Sequence, residues 1–461
     1  MRVRQAVAAT SGAAFVLALT LGAAGPVAAT SATHGLRPAH AGALGRLVLP
    51  RGARATFEGA SPPTDAQCRA QTGRPCYSPQ EIRHAYGVDT LLSHGDNGKG
   101  ETIVIVDSYG SPTIAADLAA FDKGYKLPAP PSFKVLHPLG TVPWNPSKFK
   151  DQPNWAAETT LDVAWSHAMA PDAKIVLLTS PVDETEGVQG MPQFNALENY
   201  ALKHHLGQVW SQSWGATENT LFTKAGKKVL ASFEATYAQA AKAGVTVLAS
   251  TGDAGTANVN VAGKVYPFPT VNFPASSPLV TAVGGTSLTA STKGAYKSEQ
   301  VWNSGGGATG GGISQFFKEP SYQKNLPAAM QKKLGNHRGI PDISWNADPS
   351  TAVLIYLSAK VAGQAGYYAI GGTSEGSPDW AGLVADLDQA AGHPLGLLNT
   401  TLYTLGKAGT GFHDVTVGNN GLDGIKGYSA AKGWDLATGW GTPNVRTLVG
   451  GVLLRAESLR H

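Results

Sequence analysis

The 461-residue chain has only two cysteines and few charged residues, and each scarcity excludes something. Cys68 and Cys76 fit neither a Cys-x-x-Cys pair nor a zinc-ligand cluster, which argues against a thiol redox centre and a structural zinc. They are either two free thiols or, in an exported chain, one disulfide closing a small loop. Charged side chains make up 15% of the residues, against roughly 25% in an average soluble domain. No Lys/Arg-rich run or basic helix occurs, so a nucleic-acid partner is not expected. Beyond the N-terminus no apolar run is long enough to span a bilayer.

What is present points to an exported α/β protein. Arg2 and Arg4 precede an apolar stretch over 13–19, and the small residues Val27, Ala28 and Ala29 follow. This is a secretory signal pattern over 1–29 rather than a membrane anchor, because Gly22 and Pro26 break a run already too short to span. Residues 30–76, rich in Ala, Gly, Arg and Pro, read as a short flexible N-terminal or propeptide segment. The main domain is expected over 77–461, opening where Ser78 can cap a helix with Pro79 at its first position. Strand-like runs over 102–106, 174–178, 209–213 and 245–248 alternate with helical patterns over 113–121, 193–204 and 229–243. Short apolar strands separated by amphipathic helices predict a doubly wound parallel sheet with helices on both faces. The 42% apolar content is enough for a sizeable core.

Four segments carry residues capable of chemistry. In Gly371-Gly372-Thr373-Ser374-Glu375-Gly376-Ser377-Pro378, a serine follows Gly-Thr, with proline four residues on and an apolar helical stretch behind it. Subtilisin-type folds present a nucleophile this way, with helix N–H groups and the positive dipole end near the hydroxyl. A plain helix cap can have the same Gly-Thr-Ser. Such folds normally supply the base from a His-Gly-Thr-His-like segment, and none is present. Glu158 and Asp162 lie four apart in a helical stretch, so they share one face with Cβ atoms about 6 Å apart. Such a pair can share a proton and act as a tunable base, or can simply be an exposed acidic face.

The third segment puts Asp253 directly after a strand, where a subtilisin-type enzyme has an oxyanion-donating Asn. Asp can replace Asn there only if it is protonated; the alternative is an ordinary Asp-Ala-Gly turn. The fourth is C-terminal, where Asp414 and Asp435 stand among glycines. Two such carboxylates with backbone carbonyls could hold a hard cation, although the spacing is not that of an EF-hand and also suits a structural turn.

In this order the four segments resemble the sedolisins, the serine-carboxyl peptidases, over 77–445. Ser211-Gln212-Ser213-Trp214-Gly215, Phe273-Pro274-Ala275-Ser276-Ser277-Pro278, Gly310-Gly311-Gly312-Ile313-Ser314 and Pro341-Asp342-Ile343-Ser344-Trp345 add to the resemblance. It implies a subtilisin-like fold with a C-terminal calcium-binding region. It also implies Ser374 as nucleophile, Glu158 as general base, Asp162 as its charge-coupled partner and Asp253 as protonated oxyanion donor. One Ca²⁺ would be bound by Asp414 and Asp435 with the carbonyls of Val415, Ala431 and Gly433. Ser213, Trp214 and Gly215 would bind peptide as an added strand, and Asp107 and Trp214 would stand behind Glu158. The chain departs from the family in having Gly-Gly-Thr-Ser for Ser-Gly-Thr-Ser, Glu375 beside the nucleophile, Ala431 for a glycine, and a short segment in place of a long prodomain.

The function so implied is a secreted peptidase hydrolysing peptide or protein substrates in acid, as an endopeptidase or a tripeptidyl-peptidase. It is expected to be monomeric and free of the membrane once the signal is removed. Two alternatives stand beside it: a secreted binding protein that keeps the fold without turnover, and a histidine-dependent enzyme using His167 as base.

Overall fold

The computed structural model describes residues 56–59 and 61–458, together with the two-residue strands Arg37–Pro38 and Leu47–Val48. The signal pattern over 1–29 lies outside the described residues.

Eight strands form one sheet: β1 (Thr102–Ser108), β2 (Phe133–Leu136), β3 (Lys174–Ser180), β4 (Val209–Gln212), β5 (Thr246–Ser250), β6 (Thr281–Ala290), β7 (Tyr296–Val301) and β8 (Ile343–Asn346). Their order is β2-β3-β1-β4-β5-β6-β7, with β8 also paired to β6. All pairings are parallel except β6 with β7. The expected parallel sheet is therefore present. Strand β1 shows why its sequence is a continuous apolar run: both faces are covered. Ile103 and Ile105 enter one core and Val104 and Val106 the other, following the two-residue period of a strand.

Seven helices matter to the argument: α1 (Asp65–Thr72), α2 (Pro79–Tyr86), α3 (Ile114–Tyr125), α4 (Gln152–Met169), α5 (Met191–Lys203), α6 (Lys224–Lys242) and α7 (Thr373–Ala391). Leu118 and Phe121 of α3, Leu161 and Trp165 of α4, and Trp380 and Leu383 of α7 pack in the first core. Phe194 and Leu197 of α5 and Leu230 and Phe233 of α6 fill the second. Helix α6 begins five residues before the apolar period suggests, because Thr223 caps its polar first turn by accepting the Gly226 N–H.

Ordered structure also begins earlier than Tyr77. Thr64 and Gln67 form a capping box on α1, and a Cys68–Cys76 disulfide ties the helix to the strand Cys76–Tyr77. The Asp65 carboxylate accepts the Cys76 N–H at 3.2 Å and Arg69 Nε at 2.8 Å. At eight largely polar residues, α1 is too short to show a periodic signal. Further upstream, Phe57 exchanges two backbone hydrogen bonds with Tyr367.

From β1 the chain builds the β3–β2 side of the sheet, then crosses to the β4–β5–β6 side. Strands β1 and β4 thus flank a topological switch, and the crevice beyond their carboxyl ends is where such sheets place a site. Asp107 lies near the end of β1 and Ser213 immediately follows β4.

Candidate active site

Two buried helices set the frame. Helix α4 carries Glu158 and Asp162, and α7 carries Ser374 as its second residue. They cross closely at Gly382, where an added Cβ would stand 2.4 Å from the Met169 Cβ and 2.8 Å from the Ser166 carbonyl oxygen. The first turn of α7 is fastened to the end of β4: the Ser377 hydroxyl accepts the Gln212 N–H at 3.3 Å and meets Ser211 Oγ at 3.0 Å.

Glu158 and Asp162 are fully buried, which removes the reading of their spacing as a solvated acidic face. Burial raises the Asp162 pKa well above the carboxylate range, and the negative charges of Asp107 and Glu158 raise it further. Asp107 is pushed up to about 7 by burial, offset in part by the nearby Thr159 hydroxyl. The Ser213 hydroxyl donates to Asp162 Oδ1 at 2.9 Å, and the same oxygen lies 3.3 Å from the Ser374 carbonyl. Ser213 therefore links Asp162 to the backbone of Ser374.

Asp253 sits in the turn after β5, against the start of α7. The Thr373 N–H and hydroxyl both donate to its Oδ1, and Thr373 Oγ1 in turn accepts the Gly252 N–H at 2.9 Å. Gly372 has φ +138°, and a Cβ there would lie 2.8 Å from Asp253 Oδ2. Both facts require glycine, which explains the Gly-Thr-Ser sequence locally. Burial pushes the Asp253 pKa up to about 6 against the two Thr373 hydrogen bonds that lower it. Its Oδ2 has no partner among the described residues.

Glu375, the neighbour of Ser374, is fully buried, and its Oε1 accepts Asn346 Nδ2 at 3.0 Å. Burial and the negative charge of Asp379 hold its pKa well above the usual range. Asp379 is raised in the same way by burial, opposed by Trp345 and by Arg83 of α2. Both shifts favour the protonated form of the carboxyl beside Ser374.

Trp214 is buried against Phe194 and Phe233 in the second core, with ring centroids 4.5 and 5.8 Å away. At Gly215 a Cβ would be 2.8 Å from the Phe273 carbonyl oxygen, so the backbone there runs close to the neighbouring strand Asn272–Phe273. Among the described residues, neither Trp214 nor Gly215 takes part in a backbone hydrogen bond. His167 is enclosed on α4, with Nε2 2.8 Å from the Pro128 carbonyl and a pKa lowered to about 4 by burial. That environment is a packed helix histidine, not a base presented to Ser374.

Both C-terminal acids bond to the backbone of the loop over 431–438. The Gly433 N–H donates to Asp414 Oδ2 at 2.9 Å. Asp435 accepts the N–H groups of Ala431, Ala437 and Thr438, and burial lifts its pKa to about 6. No cluster of three His, Cys, Asp or Glu side chains occurs among the described residues, so a cation here would depend on carbonyls as well. The donor set of Asp414, Asp435 and the Val415, Ala431 and Gly433 carbonyls is all oxygen; Asp435 Oδ1 already accepts two N–H groups, while Asp435 Oδ2 and Asp414 Oδ2 each accept one and keep a second lone pair. It fits a hard cation.

Sequence reasoning missed the Ser213 side chain, treated there only as backbone for substrate, and Asn346 and Asp379 as neighbours of Glu375. Pro378 was the available signal for the first, since a proline inside the helix removes one N–H from its early turns.

A model of the family described as "Subtilase family" matches residues 154–428. Kumamolisin of Bacillus sp. (strain MN-32) is 34% identical over 361 residues, covering 77% of this chain and 60% of its own. Sedolisin of Pseudomonas sp. (strain 101) is 39% identical over 204 residues, 42% of this chain and 32% of its own. The solved structure of Pseudomonas sedolisin, described as a serine-carboxyl proteinase complexed with pseudo-iodotyrostatin, superposes with a TM-score of 0.67 at 29% identity. That superposition covers 84% of this chain and 98% of the other. The chain belongs to the subtilase family, on its sedolisin branch. It spans less than two thirds of the curated relatives named here. The matched region holds Glu158, Asp162, Asp253, Ser374 and Asp414; Asp435 lies beyond it.

Proposed function

We propose that the protein is a secreted serine-carboxyl peptidase that hydrolyses peptide bonds in acid through an acyl-enzyme on Ser374. The observation that carries this reading is a set of four buried carboxyls near the turn at Ser374: Asp253 bonded to Thr373, and Asp162 bonded to Ser213 beside Asp107 and Glu158. The branch to which the chain belongs supports the same reading.

In the first step Ser374 Oγ attacks the substrate carbonyl carbon as Glu158 takes the hydroxyl proton. Asp162 favours that transfer by sharing the excess charge of the pair. Protonated Asp253 donates from Oδ2 to the oxyanion. Glu158 then returns its proton to the departing amine, the C–N bond breaks, and an ester on Ser374 remains. Water repeats the sequence and releases the acid. The backbone of Trp214 and Gly215 offers the edge on which an extended peptide would pair.

Calcium would be held by Asp414 and Asp435 with the carbonyls of Val415, Ala431 and Gly433; when bound it fixes these loops and takes no part in bond cleavage. The N-terminal signal pattern supports export, and among the described residues no helix is long and apolar enough to cross a membrane. Purified protein assayed on denatured protein between about pH 3 and 8 tests the reading. An acidic optimum that disappears in Ser374→Ala is expected; an optimum at neutral or alkaline pH refutes the mechanism.

A further inference from the structure

Beside the C-terminal loops lies a cleft that the proposed reaction does not use. The helix Asn399–Lys407, with the turn after it, forms one wall, and residues 321–327 form the other. Two cavities of about 350 and 700 Å³ share Asn325 and Lys407, so they are adjoining halves of one space. Such volumes suit a small ligand. Ser374, Glu158, Asp162 and Asp253 are not among the lining residues.

The smaller half is walled by Tyr322 and Tyr403, the larger by Phe412, Trp434 and Trp440. Most of their polar atoms are committed. Tyr322 donates to the Pro278 carbonyl and Tyr403 to Asp342 Oδ1, each at 2.9 Å. The Trp434 indole N–H donates to the Pro341 carbonyl at 3.1 Å. Trp440 is the exception: it is 8% exposed, and its indole N–H has no partner among the described residues. A buried indole N–H ordinarily finds an acceptor. Gly406 allows this placement, because a Cβ there would stand 2.2 Å from Trp440 Cδ2. The helix therefore lies directly on the indole.

The charges around the cleft are one-sided. Lys407, Lys432 and Arg455 line it against Asp414 alone, and the Asp414 carboxylate already accepts the Gly433 N–H. Arg455 Nε is buried without a partner among the described residues. Among those residues neither Lys407 nor Lys432 forms an ion pair. Unclaimed donors beside aromatic walls complement an anion on an apolar body. A carboxylate takes such donors in charge-assisted bonds, and a ring packs against Trp and Phe.

We propose that this cleft binds small amphiphilic carboxylates, one carboxylate on an aromatic body, the chemistry of a peptide's free C-terminal aromatic residue. The carboxylate sits at Lys407, which lines both halves, with Arg455 beside it, and the ring lies against Phe412 and Trp440. The site is separate from Ser374 and does not rest on the peptidase reading.

The test is calorimetric titration of the full chain with N-acetyl-phenylalanine at about pH 6, where a free α-carboxyl is ionised. Saturable one-to-one binding is expected. The neutral N-acetyl-phenylalanine amide should bind about tenfold more weakly, having lost the charge-assisted bonds. Acetate and inorganic phosphate, which lack the ring, should also bind about tenfold more weakly. Lys407→Met keeps the stem without the charge and should weaken binding about tenfold. Trp440→Phe removes the indole N–H and should weaken it about threefold or more. If Trp440→Phe does not fold, Arg455→Met replaces it with the same expected loss. Lys407 is exposed, so its substitution leaves the fold intact. Absence of saturable binding up to about 10 mM overturns the proposal. So does an amide or phosphate that binds as tightly as the probe. Affinity unchanged in Lys407→Met overturns it too, since the probe then sits elsewhere, at the Ser374 site included. The readout is binding, so a parent without peptidase activity refutes the peptidase reading and leaves this one to be judged on its own titration.

Discussion

Thr373 gives both its N–H and its hydroxyl hydrogen to one oxygen of Asp253, at 2.8 Å each. The carboxyl is thereby oriented at the start of α7 with Oδ2 uncommitted among the described residues. If a proton on Oδ2 serves the oxyanion, activity must fall as Asp253 ionises near its raised pKa of about 6. Asp253→Asn replaces that proton with a permanent amide donor while keeping an oxygen for Thr373. It should retain activity and move the alkaline limb to higher pH. Asp253→Ala should lose about 10²–10³ in kcat. An alkaline limb that stays in place in Asp253→Asn would separate Asp253 from the oxyanion.

The second prediction concerns Glu375 and Asp379, one turn apart on α7. Burial raises the pKa of both, as it does for Asp386 on the same helix. Tyr86 and Arg83 of α2, Trp345 and Asn346 of β8 and Asp162 of α4 face this stretch. Arg83 is the nearby cation, yet its Nη2 has no hydrogen-bond partner among the described residues. These carboxyls bind protons more tightly folded than unfolded. The stability they contribute is therefore fully present below about pH 4 and is lost as pH rises through their raised values. The thermal midpoint should drop from acid to neutral pH, and Glu375→Gln/Asp379→Asn should flatten that drop and slow inactivation at pH 7. A midpoint that rises toward neutral pH would contradict the assignment.

A third prediction follows from the helix crossing. Gly382→Ala places a Cβ against Met169 and the Ser166 carbonyl of α4 at distances no packed pair sustains. Strain of about 1–3 kcal/mol is expected, with α7 displaced from α4. Calorimetry should show the lower midpoint, and kcat should fall more than KM rises if the proposed mechanism holds, because Glu158 and Asp162 sit on one of the crossing helices and Ser374 on the other.

Calcium removal gives the fourth. A chelator should lower the thermal midpoint, and added Ca²⁺ should restore it in a concentration-dependent way, as binding to the folded state alone demands. Asp414→Asn should abolish most of that response. A midpoint indifferent to chelator and Ca²⁺ in the parent would assign Asp414 and Asp435 to loop hydrogen bonding only.

The alternation of strands and helices was legible because strands covered on both faces read as short unbroken apolar runs, as in β1. The turn before Ser374 was legible as a tight approach to a helix because of Gly371 and Gly372, and Pro378 marks that helix. Helix α1 escaped notice: it is held by a cap, an ion pair and a disulfide rather than by an apolar stripe. The Ser213 bridge and the Glu375–Asn346 bond also escaped, since each joins residues more than twenty positions apart whose types alone suggest no pairing. His167 shows the converse, a side chain whose chemistry invites a catalytic reading and whose burial against Pro128 gives it a packing role.

The Cys68–Cys76 link and the Phe57–Tyr367 pairing bear on where the chain can be trimmed. A single cut between Cys68 and Cys76 would leave its two pieces covalently joined, so α1 would stay attached until reduction. A cut just after Phe57 would strip the backbone partner from Tyr367 in the strand Gly366–Ile370, whose antiparallel neighbour Ala352–Leu357 also pairs with Cys76–Tyr77. Any maturing cleavage that preserves this small sheet must therefore fall upstream of Phe57, which makes the N-terminus of the working protein a quantity that Edman sequencing can hold against the architecture.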